Sequence, residues 1–154
     1  MKSNKLALAA ILLWAITTAA FAWFFIRGNT VAGNDNRTAV VLGAGERDMI
    51  LSEMRNLLGG VQGILDGINH GDMKQTASAA RAVGMASAVD VNPALMAKLP
   101  LPFKQLGMSV HHEMDDLAQA AESGKSAAEL QAMLTNTLSK CVSCHAAWQL
   151  KAGN

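Results

Sequence analysis

The chain has 154 residues and very little cysteine: two in all, both inside one pentapeptide near the C-terminus. That scarcity excludes a zinc site built from paired Cys-x-x-Cys units, which takes about four ligands. No run of Lys or Arg is present, so nothing in the charge pattern argues for nucleic acid. Strand-like alternation is lacking too. The three prolines all fall between residues 93 and 102, which leaves long stretches free of helix breakers. Outside that pentapeptide no second catalytic constellation is found, so the reading is a carrier or binding protein and not an enzyme.

What is present at the pentapeptide is Cys141-Val142-Ser143-Cys144-His145. Cys-x-x-Cys-His is the attachment signature of a c-type haem. Two thiols add to the two vinyl groups of the porphyrin and leave thioether links. The following imidazole binds the iron from one side of the ring. On a helix, positions i, i+3 and i+4 share a face, so Cys141, Cys144 and His145 address one flat ligand. A disulfide or a redox dithiol is the competing reading of the pair. A thioredoxin-like site expects βαβ patterning around the motif, and none is visible. One covalently attached haem c is therefore the expected cofactor, with His145 as proximal iron ligand.

The N-terminus carries a second strong signal. Lys2 and Lys5 precede an uncharged run from Leu6 to Ile26, closed by Arg27. At about 1.5 Å per residue the run is long enough to cross a bilayer core. A secretory signal peptide has a shorter apolar core of about 7–15 residues. Ala20-Phe21-Ala22 offers such a peptide a cleavage site, but cleavage there leaves Trp23-Phe24-Phe25-Ile26 as an apolar new terminus. Length and flanks favour an uncleaved anchor over residues 1–27. The lysines hold the N-terminus in the cytoplasm, which puts the rest of the chain in the periplasm of a bacterial cell, on a single-pass anchor in the inner membrane. The alternative is a soluble periplasmic protein after signal cleavage. Beyond Arg27 the net charge is −2. Residues 28–45 are rich in Gly and Asn and read as a flexible tether, with a short apolar stretch at Val40-Val41-Leu42.

From residue 46 to 154 the pattern is helical. Leu51, Met54, Leu58, Val61, Leu65 and Ile68 recur at spacings 3-4-3-4-3, a seam sustained for more than two heptads. This predicts a helix over 46–69. Gly59, Gly63 and Gly67 share another of its faces, with Gly60 beside them, a ridge that suits close contact with a second helix or a second copy of the chain. Asp72 caps an alanine-rich helix over 73–89. Asn92-Pro93 opens a short turn to about Lys98. A third helix over 102–122 turns Phe103, Leu106, Val110, Met114, Leu117 and Ala121 inward. Ser126-Ala127-Ala128-Glu129 is a capping-box pattern. It opens a last helix whose seam holds Leu130, Leu134, Thr137, Cys141, Cys144 and Trp148. Four amphipathic helices with short connections predict an all-α fold, an antiparallel four-helix bundle with the haem clamped by its last helix.

A haem motif on the last helix of such a bundle resembles the cytochrome c-prime family, the class II c-type cytochromes, over residues 46–150. Trp148 matches an aromatic found three residues after the histidine in relatives, while Gln149 departs from the basic residue that follows it there. Arg47 is similar to an arginine at the start of the first helix. The resemblance implies a monohaem cytochrome whose behaviour depends on the residue that the first helix offers to the far side of the iron. Leu51 stands four residues after Arg47 and Met54 three further. A methionine there implies a low-spin electron carrier, and an apolar wall implies a five-coordinate iron that binds nitric oxide or carbon monoxide. Met54 is the favoured distal ligand, because His/Met ligation suits electron transfer; Leu51 and Trp148 are expected in the haem pocket. The His111-His112 pair, beside Glu113, Asp115 and Asp116, reads as a solvated face. The expected partners are membrane or periplasmic redox proteins, with a homodimer through the 46–69 helix as a further option. A haem subunit of a larger membrane redox complex is the third functional class.

Overall fold

The structure is a computed structural model that describes residues 2–88 and 92–153. It is mostly helical. Helix α1, Lys2–Arg27, is the apolar N-terminal segment, and none of its membrane-length stretch, Asn4–Arg27, is buried against the rest of the chain. By length and composition it suffices to cross a membrane.

Residues 28–45 are not the flexible tether that their composition suggests. Strand β1, Thr30–Ala32, pairs antiparallel with β2, Thr38–Leu42. Strand β2 in turn pairs in parallel with β3, Trp148–Ala152, at the other end of the chain. The reason is burial: Ala39, Val40 and Leu42 are almost fully enclosed, and the backbone groups that accompany them indoors need partners. Strand β3 supplies them. These five residues of apolar sequence form an ordered strand only because a segment more than a hundred positions away completes the sheet.

Helix α2, Ala44–His70, starts where the Glu46 carboxylate accepts the Gly43 N–H at 2.8 Å. It ends at Gly71, which takes the left-handed conformation of a helix C-cap. Helix α3, Met73–Arg81, is capped by Asp72, whose carboxylate accepts the Gln75 N–H at 2.8 Å. It stops well short of the expected end at residue 89. The Asp115 carboxylate accepts the Met85 N–H at 2.9 Å, and Met85–Ala88 continue as a 3₁₀ turn. Val89 lies outside the described residues, as do Met1 and Asn154. Helix α4, Pro93–Lys98, is the short turn opened by Asn92. Helices α5, Leu101–Glu122, and α6, Ala127–Ala147, follow. The capping box at Ser126 and Glu129 is formed in full.

Two apolar clusters hold these elements together. The larger joins Ile64 and Ile68 of α2, Ala77, Ala80 and Val83 around α3, Val110, Met114 and Leu117 of α5, and Leu130 and Leu134 of α6. Of the inward residues expected on α5, Val110, Met114, Leu117 and Ala121 lie in this cluster, Phe103 lies in the smaller one and Leu106 is only half-covered, while Leu130 and Leu134 of α6 are buried as expected. The glycine face of α2 is packed against α3: a Cβ at Gly60 would meet Val83 at 2.6 Å, one at Gly63 would meet Ala79 at 2.9 Å and one at Gly67 would meet Thr76 at 2.5 Å. Gly59 faces open space, so the ridge runs through Gly60 and not Gly59, and its neighbour is a helix of the same chain.

The α2 seam departs from expectation. Ile68 is buried, but Leu58 is 68% exposed, and Leu51, Met54 and Val61 are only half-covered. The close glycine contact rolls α2 toward α3, and this lifts the seam off the large cluster. The smaller cluster contains Val40, Leu42, Leu95, Leu99 and Phe103, with Cys144 and Trp148 packed against it.

Candidate functional site

The site is a cleft between the start of α2 and the end of α6. The walls from α2 are Arg47, Leu51 and Met54; from α6 come Cys144 and His145. Phe103 of α5 and Trp148, Gln149 and Leu150 of β3 form another side, and Arg37 reaches in from β1–β2. The cleft holds about 520 Å³ of space that runs out to solvent. The expected pocket residues Leu51, Met54, Cys144, His145 and Trp148 are thus brought together from positions nearly a hundred residues apart.

Cys141 lies one turn back on α6, outside the cleft lining. Its Sγ is 3.8 Å from the Thr137 carbonyl. The two cysteines form no disulfide with each other; each is partly buried, and burial pushes the thiol pKa of both up. The Glu113 carboxylate, paired with Lys140 at 2.7 Å, adds to the rise at Cys141.

Trp148 is not the last seam residue of a helix. Helix α6 ends at Ala147, and Trp148 begins β3 with φ −128° and ψ 152°. The pairing of β3 with β2 causes this, since the extended backbone is what the sheet requires. The ring still lines the cleft and stands edge-on to Phe103, with centroids 5.8 Å apart, an arrangement that aromatic pairs favour. The apolar wall therefore survives the change of secondary structure.

The histidine pair divides. His112 is exposed, but His111 is 6% exposed and donates from Nδ1 to the Val83 carbonyl at 2.9 Å. Its work is to satisfy the chain where α3 ends; neither histidine belongs to the cleft lining. Arg37 is a cleft residue that the sequence did not single out. Its signal was invisible locally, because only the β2–β3 pairing brings residue 37 beside residue 145.

Among the described residues no three His, Cys, Asp or Glu side chains gather to hold a bare metal ion. A haem iron asks less of the protein, since the porphyrin supplies all but the axial ligands. The chemistry of the donor set fits that group: two thiols and an imidazole in attachment spacing, a thioether and an aliphatic side chain across the cleft, and aromatic walls. Comparison with protein-family models, with curated proteins and with solved structures finds no match for the chain.

Proposed function

We propose that the chain is a monohaem c-type cytochrome that carries electrons at the periplasmic face of a bacterial inner membrane, held there by α1. In this reading α2, α3, α5 and α6 form a four-helix bundle resembling that of the cytochrome c-prime family. The observation that carries the proposal is that Cys144 and His145 of the attachment motif share one cleft with Met54 and Leu51 of the facing helix.

Cys141 and Cys144 would hold the ring, His145 would bind one face of the iron and Met54 the other. A bound haem supplies a reversible one-electron couple at iron. The residues of the chain set its surroundings. Phe103, Trp148 and Leu51 would set apolar surface against the ring, and apolar, thioether-ligated surroundings favour a raised potential. The exposed edge of the cleft leaves a short route for electrons to a docked partner. An anchor that keeps the protein in the plane of the membrane raises its local concentration at membrane redox partners.

Leu51 lines the cleft beside Met54, and that favours a second reading, a five-coordinate iron open to nitric oxide or carbon monoxide. Optical spectra separate the two. The protein extracted from membranes is recorded oxidised and reduced, with and without carbon monoxide. A low-spin spectrum with a far-red sulfur-to-iron band supports the electron carrier. A high-spin reduced form that binds carbon monoxide readily supports the gas-binding protein and rejects Met54 as ligand.

A further inference from the structure

The hairpin between β1 and β2 reaches the end of α6 and holds it by a specific set of bonds. The turn contains Asp35, Asn36 and Arg37, with Asn36 left-handed at φ 66°. The Gly33 N–H donates to the Arg37 carbonyl at 2.8 Å. Asp35 grips the Arg37 guanidinium with one carboxylate oxygen, at 2.8 Å from Nε and 2.6 Å from the terminal nitrogen. Its other oxygen accepts Gln149 Nε2 at 3.0 Å. The Gln149 side chain passes so close over Gly33 that any Cβ there would collide with it. Held on both sides, Arg37 gives a remaining N–H to the carbonyl of His145 at 3.2 Å. Arg37 and His145 both line the cleft.

A cation on a terminal helix carbonyl is an ordinary C-cap. A cap alone would be served by any flexible lysine. Here Asp35, itself bonded to Gln149, takes both Nε and a terminal nitrogen of Arg37 on one oxygen, which orients the guanidinium toward the carbonyl. The carbonyl it holds belongs to the one residue whose backbone position decides where the imidazole of the motif stands.

We infer that Arg37 is a positioning residue for the proximal histidine: through the His145 carbonyl it fixes the ligand's backbone, and it balances the Asp35 charge beside the cleft. This role rests on the haem reading. Loss of the guanidinium releases the His145 carbonyl and leaves the Asp35 carboxylate uncompensated. The first alters the geometry of ligation. The second favours the oxidised iron, so the midpoint potential falls.

The test uses the full chain in detergent, with Arg37→Ala, Arg37→Lys and Asp35→Asn beside the parent. Mass of the peptide bearing Cys141 and Cys144 is read first. A parent without haem there removes the haem reading, and this role with it. With haem present, Arg37→Ala is expected to lower the potential and alter the oxidised and reduced spectra. Arg37→Lys keeps the charge but not the fork, so it should recover the potential more fully than the spectrum. Asp35→Asn should raise the potential and disturb the spectrum. Should Arg37→Ala fail to fold, the Lys and Asn variants carry the comparison through their opposite demands. A parent-like potential and spectrum in the folded variants, with only a lower Tm, would show a plain helix cap and overturn the inference.

Discussion

Lys104 stands with its ammonium 3.6 Å from the centre of the Phe25 ring and donates to the Phe25 carbonyl at 3.3 Å. It also donates to the Met96 carbonyl at 3.2 Å and is 7% exposed. One buried cation therefore joins the end of α1 to α4 and α5. Burial pushes its pKa down from the ordinary lysine value, and a cation is kept in such a place only where acceptors and a ring face meet it. Phe103, its neighbour on α5, lines the cleft. The apolar helix and the cleft are thus attached at adjacent residues of α5.

The joint has a second fixed point. Gly28 turns with φ 64°, and a Cβ there would lie 2.5 Å from the Lys98 carbonyl and from the Pro100 nitrogen. Lys104→Met and Gly28→Ala should each open the chain after Arg27. Trypsin should then cut there roughly tenfold faster, the equivalent of about 1.4 kcal/mol of local opening, with little change in helical content. Equal cutting rates in parent and variants would mean that the segment moves freely whatever residues 28 and 104 are.

Strand β2 makes a sharper distinction between a tether and a structural element. Leu42 is 1% exposed. Leu42→Ala should cost about 2–4 kcal/mol in denaturant unfolding, the range for an enclosed leucine. A value within about 0.5 kcal/mol, typical of surface sites, would return residues 38–42 to the status of a linker.

The helix that carries Cys141, Cys144 and His145 has a titratable cap at its start. The Ser126 hydroxyl and backbone N–H, with Lys125, hold the Glu129 carboxyl down at about 2 instead of the ordinary 4.5. A depressed carboxylate stabilises the fold above its unfolded pKa and loses that contribution as pH falls through its folded one. Stability tied to this cap should therefore be complete above about pH 4.5 and fade toward pH 2. Thermal melts of Glu129→Gln across that window should show a flatter acid limb than the parent. Superimposable limbs would remove the cap from the acid response.

On the far side of the cleft, Met54→Leu and Leu51→Ala have different expected effects. The first should abolish the sulfur-to-iron band and open the reduced iron to carbon monoxide. The second should leave the band in place and admit water to the site, lowering the potential. The reverse pattern would identify Leu51 as the residue that governs the iron.

The sequence was most informative where structure is local. The bounds of α2 and α5 fall within two residues of those expected from the seam and the flanking residues, and Ser126 with Glu129 marks the start of α6 to the residue, though not its end. The Cys-x-x-Cys-His spacing lies within five residues, so it is seen without any tertiary contact. The sheet is not, since β2 has five residues and β3 another five, and each becomes a strand only against the other. The roll of α2 was equally hidden: its seam implied a buried Leu58, and the contact of Gly63 and Gly67 with α3 decided otherwise. Arg37 and Lys104 escaped for the same reason, because the partners that give them meaning, His145 and Phe25, are distant in the chain.

The central claim is that Cys141 and Cys144 carry a haem, and mass spectrometry tests it most directly. The protein is made in bacterial cells equipped for c-type haem attachment, digested, and the peptide spanning Cys141 to His145 is weighed with and without thiol alkylation. A haem held by both sulfurs gives a peptide heavier by one haem, with neither cysteine open to alkylation. A peptide of unmodified mass in which both cysteines alkylate would contradict it.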